Sequence, residues 1–400
     1  MTTTTLPRPL PPRAPGDPSS ARRPALPALT GLRAVAAVWV VLFHYRDDLL
    51  ALQPALAPLD TFMRGGYLGV DLFFALSGFI LAYTYADAMA AFSWRGSRDF
   101  VRNRFARVWP VHVVTLHVDL ALAALVGTLG VTEGGHRRTA DAYVANLGMV
   151  HHWVSDRPSF NAPAWSISAE WFAYLLAPLL FLLVGRVRRA GTALFLAGLS
   201  YGAMLLVFAT MALPNGNLEG MFYVRILGEF VGGVMLCLAW VRGRARLGRL
   251  ALVLPLALVV VALVPAVAHG RYWMAPVLGL GIAGLAASSG WLVQLLSRPA
   301  LVAAGEASFA LYMVHLLIEP AVHAGRVWAE GNARLSALVV VAFVAVLAVL
   351  SWLVLTTVER PARRWLTRRS RSRRPDEDGS APVPGAAVQP VVGDHRLVRA

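Results

Sequence analysis

His44, Asp71, Glu170 and His315 in this sequence could move a proton inside an apolar environment. In "LTGLRAVAAVWVVLFHY", Leu29 to Tyr45, Arg33 and His44 interrupt a run of apolar residues. Such groups are costly in a membrane and mark function or a buried partner. They stand eleven positions apart, which on a helix is about 20° of rotation and about 16 Å of rise. They share one face, with Arg33 near one surface and His44 near the other. "GYLGVDLFFALSGFILAY" supplies Asp71 and, deeper, Ser77, and "NAPAWSISAEWFAYLLAP" supplies Glu170 with Trp165, Ser166 and Ser168 just above it. "GEASFALYMVHLLIEP" adds Tyr312 and His315, with Glu319 one turn further on the same face and placed to hold His315. A histidine beside a carboxylate is the usual arrangement for general-base catalysis, because the carboxylate fixes the tautomer and stabilises the imidazolium. Asp71 and Glu170 are both candidates to partner His44. The alternative is a polar network that only locks the helices together, with Arg33 and His44 snorkelling to the two interfaces.

The elements that carry these residues read as membrane spans. Hydrophobic residues make up 57% of the 400 and charged ones 15%. Apolar stretches long enough to cross a bilayer recur along the chain. Ten spans are expected, at about 28–45, 67–85, 107–129, 163–184, 190–212, 220–241, 250–268, 273–290, 300–322 and 336–358. The fold class is therefore an all-α polytopic helix bundle. All 37 basic residues are arginine, and 25 of them fall on the side of the two termini against 8 in the opposite loops. The positive-inside rule then places both termini in the cytoplasm. Residues 1–27 and 367–400 read as disordered tails around one membrane domain, 28–366.

This distribution makes the +15 net charge a topology signal with some attraction to anionic lipid, and argues against nucleic acid. The lone Cys237 excludes a disulfide framework. The histidines are too scattered for a metal site, and none is expected. On the cytoplasmic side "RDFVRNRFARVWPVH" places Arg104 and Arg107 three apart, able to grip phosphate oxygens with forked bonds. Arg225 and Glu229, at i and i+4, read as a self-neutralised ion pair.

Over about residues 28–365 the sequence resembles the integral-membrane acyltransferase 3 family, which includes bacterial O-antigen and polysaccharide O-acetyltransferases and macrolide acyltransferases. The resemblance rests on the Arg33-x10-His44 stretch, "GYLGVDLFFALSGFIL", the Arg104-x-x-Arg107 of "RNRFARVWPVH", "PAWSISAEWFAYLLAPLL", "ASFALYMVHLLI" and "VERPARR", in that order. It implies transfer of an acyl group, commonly acetyl, from acyl-CoA to a hydroxyl of a sugar or sugar-bearing acceptor. His44 takes the catalytic role by this resemblance, and Arg33, Arg104 and Arg107 serve the donor. Tyr312, Ser77 and Trp165, with Ser168 and His315 nearby, are candidates to stabilise the oxyanion or bind substrate. Transfer is either direct or through an acyl-histidine. Many relatives carry a C-terminal hydrolase-like domain, whereas this sequence ends in a short tail, so it is expected to act alone or with a separate partner protein. The expected location is the bacterial plasma membrane. The rival readings are a proton-coupled transporter, which needs similar intramembrane groups, and a scaffold.

Overall fold

The computed structural model describes residues 23–128, 138–155, 159–211, 221–243, 253, 255–257, 260 and 273–371. Among these the regular structure is helical, with no strand. The long helices are numbered here in chain order: α1 Pro27–His44, α2 Leu68–Tyr85, α3 Trp94–Thr128, α4 Trp165–Val184, α5 Ala190–Thr210, α6 Phe222–Arg242, α7 Met274–Ala287, α8 Pro299–Val314, α9 Ala333–Val354 and α10 Arg360–Arg371. Pro27 and Pro299 open α1 and α8 at positions where the missing N–H costs nothing. The Asn332 side chain caps α9 by accepting from the N–H groups of Arg334 and Leu335, both at 3.1 Å.

Eight helical segments among the described residues are long and apolar enough to cross a membrane. Ten were expected from the sequence. Most of the expected span at 250–268 lies outside the described residues. The one at 273–290 becomes α7, whose 14 residues extend about 21 Å, short of the roughly 30 Å hydrocarbon core. α3 begins well before the expected residue 107, because the arginine-rich approach continues the same helix.

α2 and α6 form the centre of the bundle, each 78% buried over its apolar window, while α5 and α9 are 22% buried and lie outside. Phe195, Leu206, Val341 and Trp352 are among the exposed apolar side chains on these outer helices, a surface suited to lipid. Between spans, lipid tails are as apolar as leucine, so close packing has to supply the adhesion. At the α2–α6 crossing a Cβ on Gly78 would lie 2.0 Å from the Phe230 carbonyl oxygen, and one on Gly233 would lie 2.2 Å from that of Ala75. Only glycine permits backbones this close. α1 meets α8 in the same way, where a Cβ on Gly305 would lie 1.9 Å from the Thr30 carbonyl oxygen.

Candidate functional site

Two charge clusters draw on α2, one fully buried and one half-buried. In the first, Asp71 near the start of α2 accepts a forked pair of bonds from Arg225 of α6, at 3.1 Å from Nε and 2.7 Å from Nη2. Glu229 Oε1 lies 3.6 Å from the same Nε. Arg225 also sits over the Trp165 ring, 5.3 Å from its centroid. The expected Arg225–Glu229 pair is therefore the weaker contact of a three-residue cluster. Asp71, committed to this guanidinium, is not the partner of His44.

The second cluster opens onto a cavity of about 110 Å³ whose wall includes Arg33, Ser77, Arg104, Arg107, Glu170 and Tyr312, along with Ser166 and Tyr174. The Nε atoms of Arg33 and Arg104 are buried without a hydrogen-bond partner. Arg107 differs, because its Nη1 donates to Glu359 Oε1. Glu359 is 2% exposed and ends a π-helical turn, Leu355–Glu359, that interrupts the junction of α9 and α10; such turns recur at functional sites. Glu359 belongs to the "VERPARR" stretch, and sequence reasoning did not connect it to Arg107 across 252 positions. Ser77 Oγ and Tyr174 OH are 3.2 Å apart, and Tyr312 OH donates to the Pro163 carbonyl at 3.1 Å.

Tyr312 is also the link to the histidines. α8 ends at Val314 and tightens into a 3-10 turn, His315–Ile318. The ring centroids of Tyr312 and His315 are 5.7 Å apart, and those of His315 and His44 are 4.9 Å apart. His44 Nδ1 lies 3.3 Å from His315 Nε2 and 2.9 Å from the Val40 carbonyl oxygen. The neighbour of His44 is thus a second histidine, and the expected orienting carboxylate is absent from its hydrogen bonds. Glu170 lines the cavity and Asp71 holds Arg225. His315 in turn is fixed through the backbone, with Nδ1 2.7 Å from the Tyr312 carbonyl oxygen, so the expected Glu319 support is not made; Glu319 is exposed. Tyr45 OH donates to the His315 carbonyl, clamping the turn. His44 itself is exposed, as access for a substrate requires.

Two further candidates do not line the cavity. Ser168 is fully buried, its Oγ accepting from the His152 N–H at 3.2 Å, and it anchors the 148–155 segment over the start of α4. Trp165 packs edge-on against Phe74 at 6.0 Å and beneath Arg225. Ser166, Tyr174 and Glu359 are the contributors that sequence reasoning did not place in a site. Ser166 and Tyr174 follow from the helical spacing around Glu170.

A cavity with free guanidinium nitrogens at one end and a histidine pair beyond the other suits a reaction between an anionic donor and a hydroxyl. Comparison with known proteins gives the reaction class, acyl transfer. The model described as "Acyltransferase domain" matches residues 26–357. The chain is 30% identical to acyltransferase MdmB of Streptomyces mycarofaciens over 375 residues, which is 86% of this chain and 93% of that protein. It is 26% identical to putative peptidoglycan O-acetyltransferase YrhL of Bacillus subtilis (strain 168), covering 56% of this chain and 35% of that protein. It is 23% identical to putative O-acetyltransferase SACOL0978 of Staphylococcus aureus (strain COL), covering 74% and 51%. The chain thus spans most of MdmB but about a third and a half of the other two. No solved structure matches. A helical membrane protein with this domain over most of its length belongs to the acyltransferase 3 family and is an enzyme that transfers acyl groups.

Proposed function

We propose that the protein transfers an acyl group, acetyl in the first instance, from acyl-CoA to a hydroxyl on a carbohydrate or sugar-bearing acceptor in the plasma membrane. The observation that carries this reading is the pair of buried, unpartnered Nε atoms of Arg33 and Arg104 on a cavity that reaches Tyr312. Unpaired guanidinium donors next to one carboxylate-bound arginine suit phosphate oxygens. The cavity, about 110 Å³, is well below the roughly 300–1,000 Å³ that encloses a drug-sized ligand. The nucleotide part of acyl-CoA therefore stays at the arginine end, which the arginine bias assigns to the cytoplasm. Its thin pantetheine arm carries the thioester inward.

At the other end His44 removes the acceptor proton as the hydroxyl oxygen bonds to the thioester carbon. The carbon–sulfur bond breaks, and the departing thiolate takes that proton back from His44. The ester and free CoA then account for every atom. Ser77, Ser166, Glu170 and Tyr312 line the space the thioester would enter, and a Tyr312 or Ser166 hydroxyl would have to leave the Pro163 carbonyl to serve an oxyanion.

The acceptor has two readings within this class. A surface glycan or glycolipid is supported by the likeness to YrhL, a putative peptidoglycan O-acetyltransferase. A small diffusible acceptor such as a macrolide is the second reading, which the family resemblance equally implies. The test is release of free CoA from acetyl-, propionyl- and longer acyl-CoA by the purified protein in detergent, with glycans and macrolides supplied separately. Acceptor-dependent release by the wild type, lost by about 10²–10⁴-fold in His44→Ala, supports the proposal. Equal release by both assigns His44 no role in the transfer.

A further inference from the structure

We infer that His315 is a positioning residue that, together with the Val40 carbonyl, holds the hydrogen of His44 on Nδ1, leaving Nε2 of His44 as the nitrogen that takes the acceptor proton. This inference rests on the acyl-transfer reading for its consequence but on geometry for its substance. His315 Nδ1 lies 2.7 Å from the Tyr312 carbonyl oxygen. A carbonyl can only accept, so Nδ1 of His315 carries a hydrogen. In a neutral ring Nε2 of His315 is then a bare acceptor. That acceptor lies 3.3 Å from His44 Nδ1, and a second acceptor, the Val40 carbonyl oxygen, lies 2.9 Å from the same nitrogen. His44 Nδ1, facing two acceptors, carries its hydrogen and shares it between them. The lone pair of His44 is therefore on Nε2.

The opposite assignment fails twice. It sets a bare His44 Nδ1 against the Val40 carbonyl and a bare His315 Nδ1 against the Tyr312 carbonyl, two lone-pair contacts within hydrogen-bond distance. The tautomer is thus inferred from the whole network. The support behind it is rigid. His315 is fully buried and Tyr45 OH bonds its carbonyl. Asn161 Nδ2 donates to the adjacent Met313 carbonyl at 2.8 Å. When His44 accepts the hydroxyl proton on Nε2 it becomes a cation, and its Nδ1–H bonds to Val40 and His315 strengthen. His315 thus takes the place that a carboxylate holds in most histidine bases, without adding a charge to the membrane interior.

Two measurements test this. Carboxymethylation of the full-length wild-type protein with bromoacetate, followed by isolation and hydrolysis of the His44 peptide, reports which ring nitrogen is free. The Nε2 product is expected to dominate, and a dominant Nδ1 product overturns the inference. This readout needs no variant and no acyl transfer, so an inactive preparation that still gives the Nε2 product refutes the proposed function while sparing the histidine geometry. The second measurement is steady-state CoA release by His315→Leu, His315→Gln and His315→Asn. Glutamine can place its amide oxygen where Nε2 of His315 lies, whereas asparagine is too short and leucine has no acceptor. His315→Leu and His315→Asn are expected to lose about 100-fold in kcat with donor KM within about 3-fold of wild type, and His315→Gln to recover at least 10-fold of that loss. Equal kcat for the glutamine and asparagine variants, at any level, overturns the inference.

Discussion

The two charge clusters differ in one respect that separates architecture from chemistry. Around Arg225 the guanidinium is gripped by Asp71 from another helix and approached by Glu229, with the ring of Trp165 closing it off. Buried polar atoms without a hydrogen bond occur in both, the Glu229 oxygens in the first and the Nε atoms of Arg33 and Arg104 in the second, but the arginines of the second face a cavity. A charge taken into a membrane is tolerated when it is paired or when it faces water or substrate. The first cluster follows the pairing route and the second the open route. The first is therefore expected to govern whether the bundle assembles, and the second whether it turns over.

The sharpest way to break the comparison is to remove one member of the closed cluster. Arg225→Met leaves Asp71 and Glu229 uncompensated in the interior, a loss of about 3–5 kcal/mol for a broken buried pair. The expected outcome is little or no folded protein, read by gel filtration and thermal unfolding in detergent. Asp71→Leu together with Arg225→Leu removes both strongly bonded partners and is expected to recover part of that stability, with Glu229 as the remaining defect. Normal unfolding of Arg225→Met places the cluster outside the fold's support.

Arg104→Ala tests the open cluster. A bond from a guanidinium to a charged oxygen contributes about 1.5–3 kcal/mol, so KM for acetyl-CoA is expected to rise roughly 10–100-fold. Melting should stay within a few degrees of wild type, because no partner is orphaned. Arg107→Ala is expected to behave differently, since it strands the buried Glu359 and so loses stability as well as donor affinity. If Arg104→Ala lowers stability as much as Arg107→Ala does, the two arginines do not divide in this way.

Much of this division could be read from the sequence, and the part that could not has a common cause. Apolar runs of about 20 residues gave α1, α2, α4, α5 and α6 almost to the residue, because a bilayer dictates both length and composition. The helical repeat placed Arg33 and His44 on one face and Arg104 beside Arg107. What failed was partner choice. Arg225 has a carboxylate one turn away, yet it forks onto Asp71, 154 positions earlier. Likewise His315 has Glu319 one turn on, yet uses the Tyr312 carbonyl and His44. Helical spacing shows which groups are within reach along one helix. It is silent on the neighbouring span, where a forked geometry or a backbone acceptor wins. The break of α8 at Val314 was missed too, although Pro320 stands just beyond it at the start of the following helix, Glu319–Trp328.

The α2–α6 crossing supports both clusters, since α2 contributes Asp71 to one and Ser77 to the other. Gly78→Ala would drive a methyl group against the Phe230 carbonyl, 2.0 Å away, and the helices must part to admit it. Overpacking of this kind costs about 1–3 kcal/mol. Lower melting accompanied by lower kcat is expected, because parting the helices moves Ser77 relative to α4. A melting temperature unchanged by this substitution separates the crossing from the fold's stability.

The smallest effect lies in the segment between α3 and α4 that covers the start of α4. His151 is buried, and its ring stacks on His112 at 5.7 Å. Burial, reinforced by the neighbouring His112 and His152, pushes its pKa down to about 3. The folded state therefore binds fewer protons than the unfolded chain, whose histidine titrates near 6.5. Its contribution to stability is complete above about pH 6.5 and is lost as the pH falls toward 3. Each pH unit in that window amounts to about 1.4 kcal/mol for one proton. The other histidines act on both proteins, so the informative quantity is a difference between two slopes. His151→Phe keeps a ring for His112 and removes the titration. Between pH 6.5 and 5 its melting temperature is expected to fall less steeply than that of the wild type, and limited proteolysis of the 148–155 segment should lose part of its acid sensitivity. Parallel slopes would locate the acid sensitivity elsewhere and leave His151 as a packing residue only.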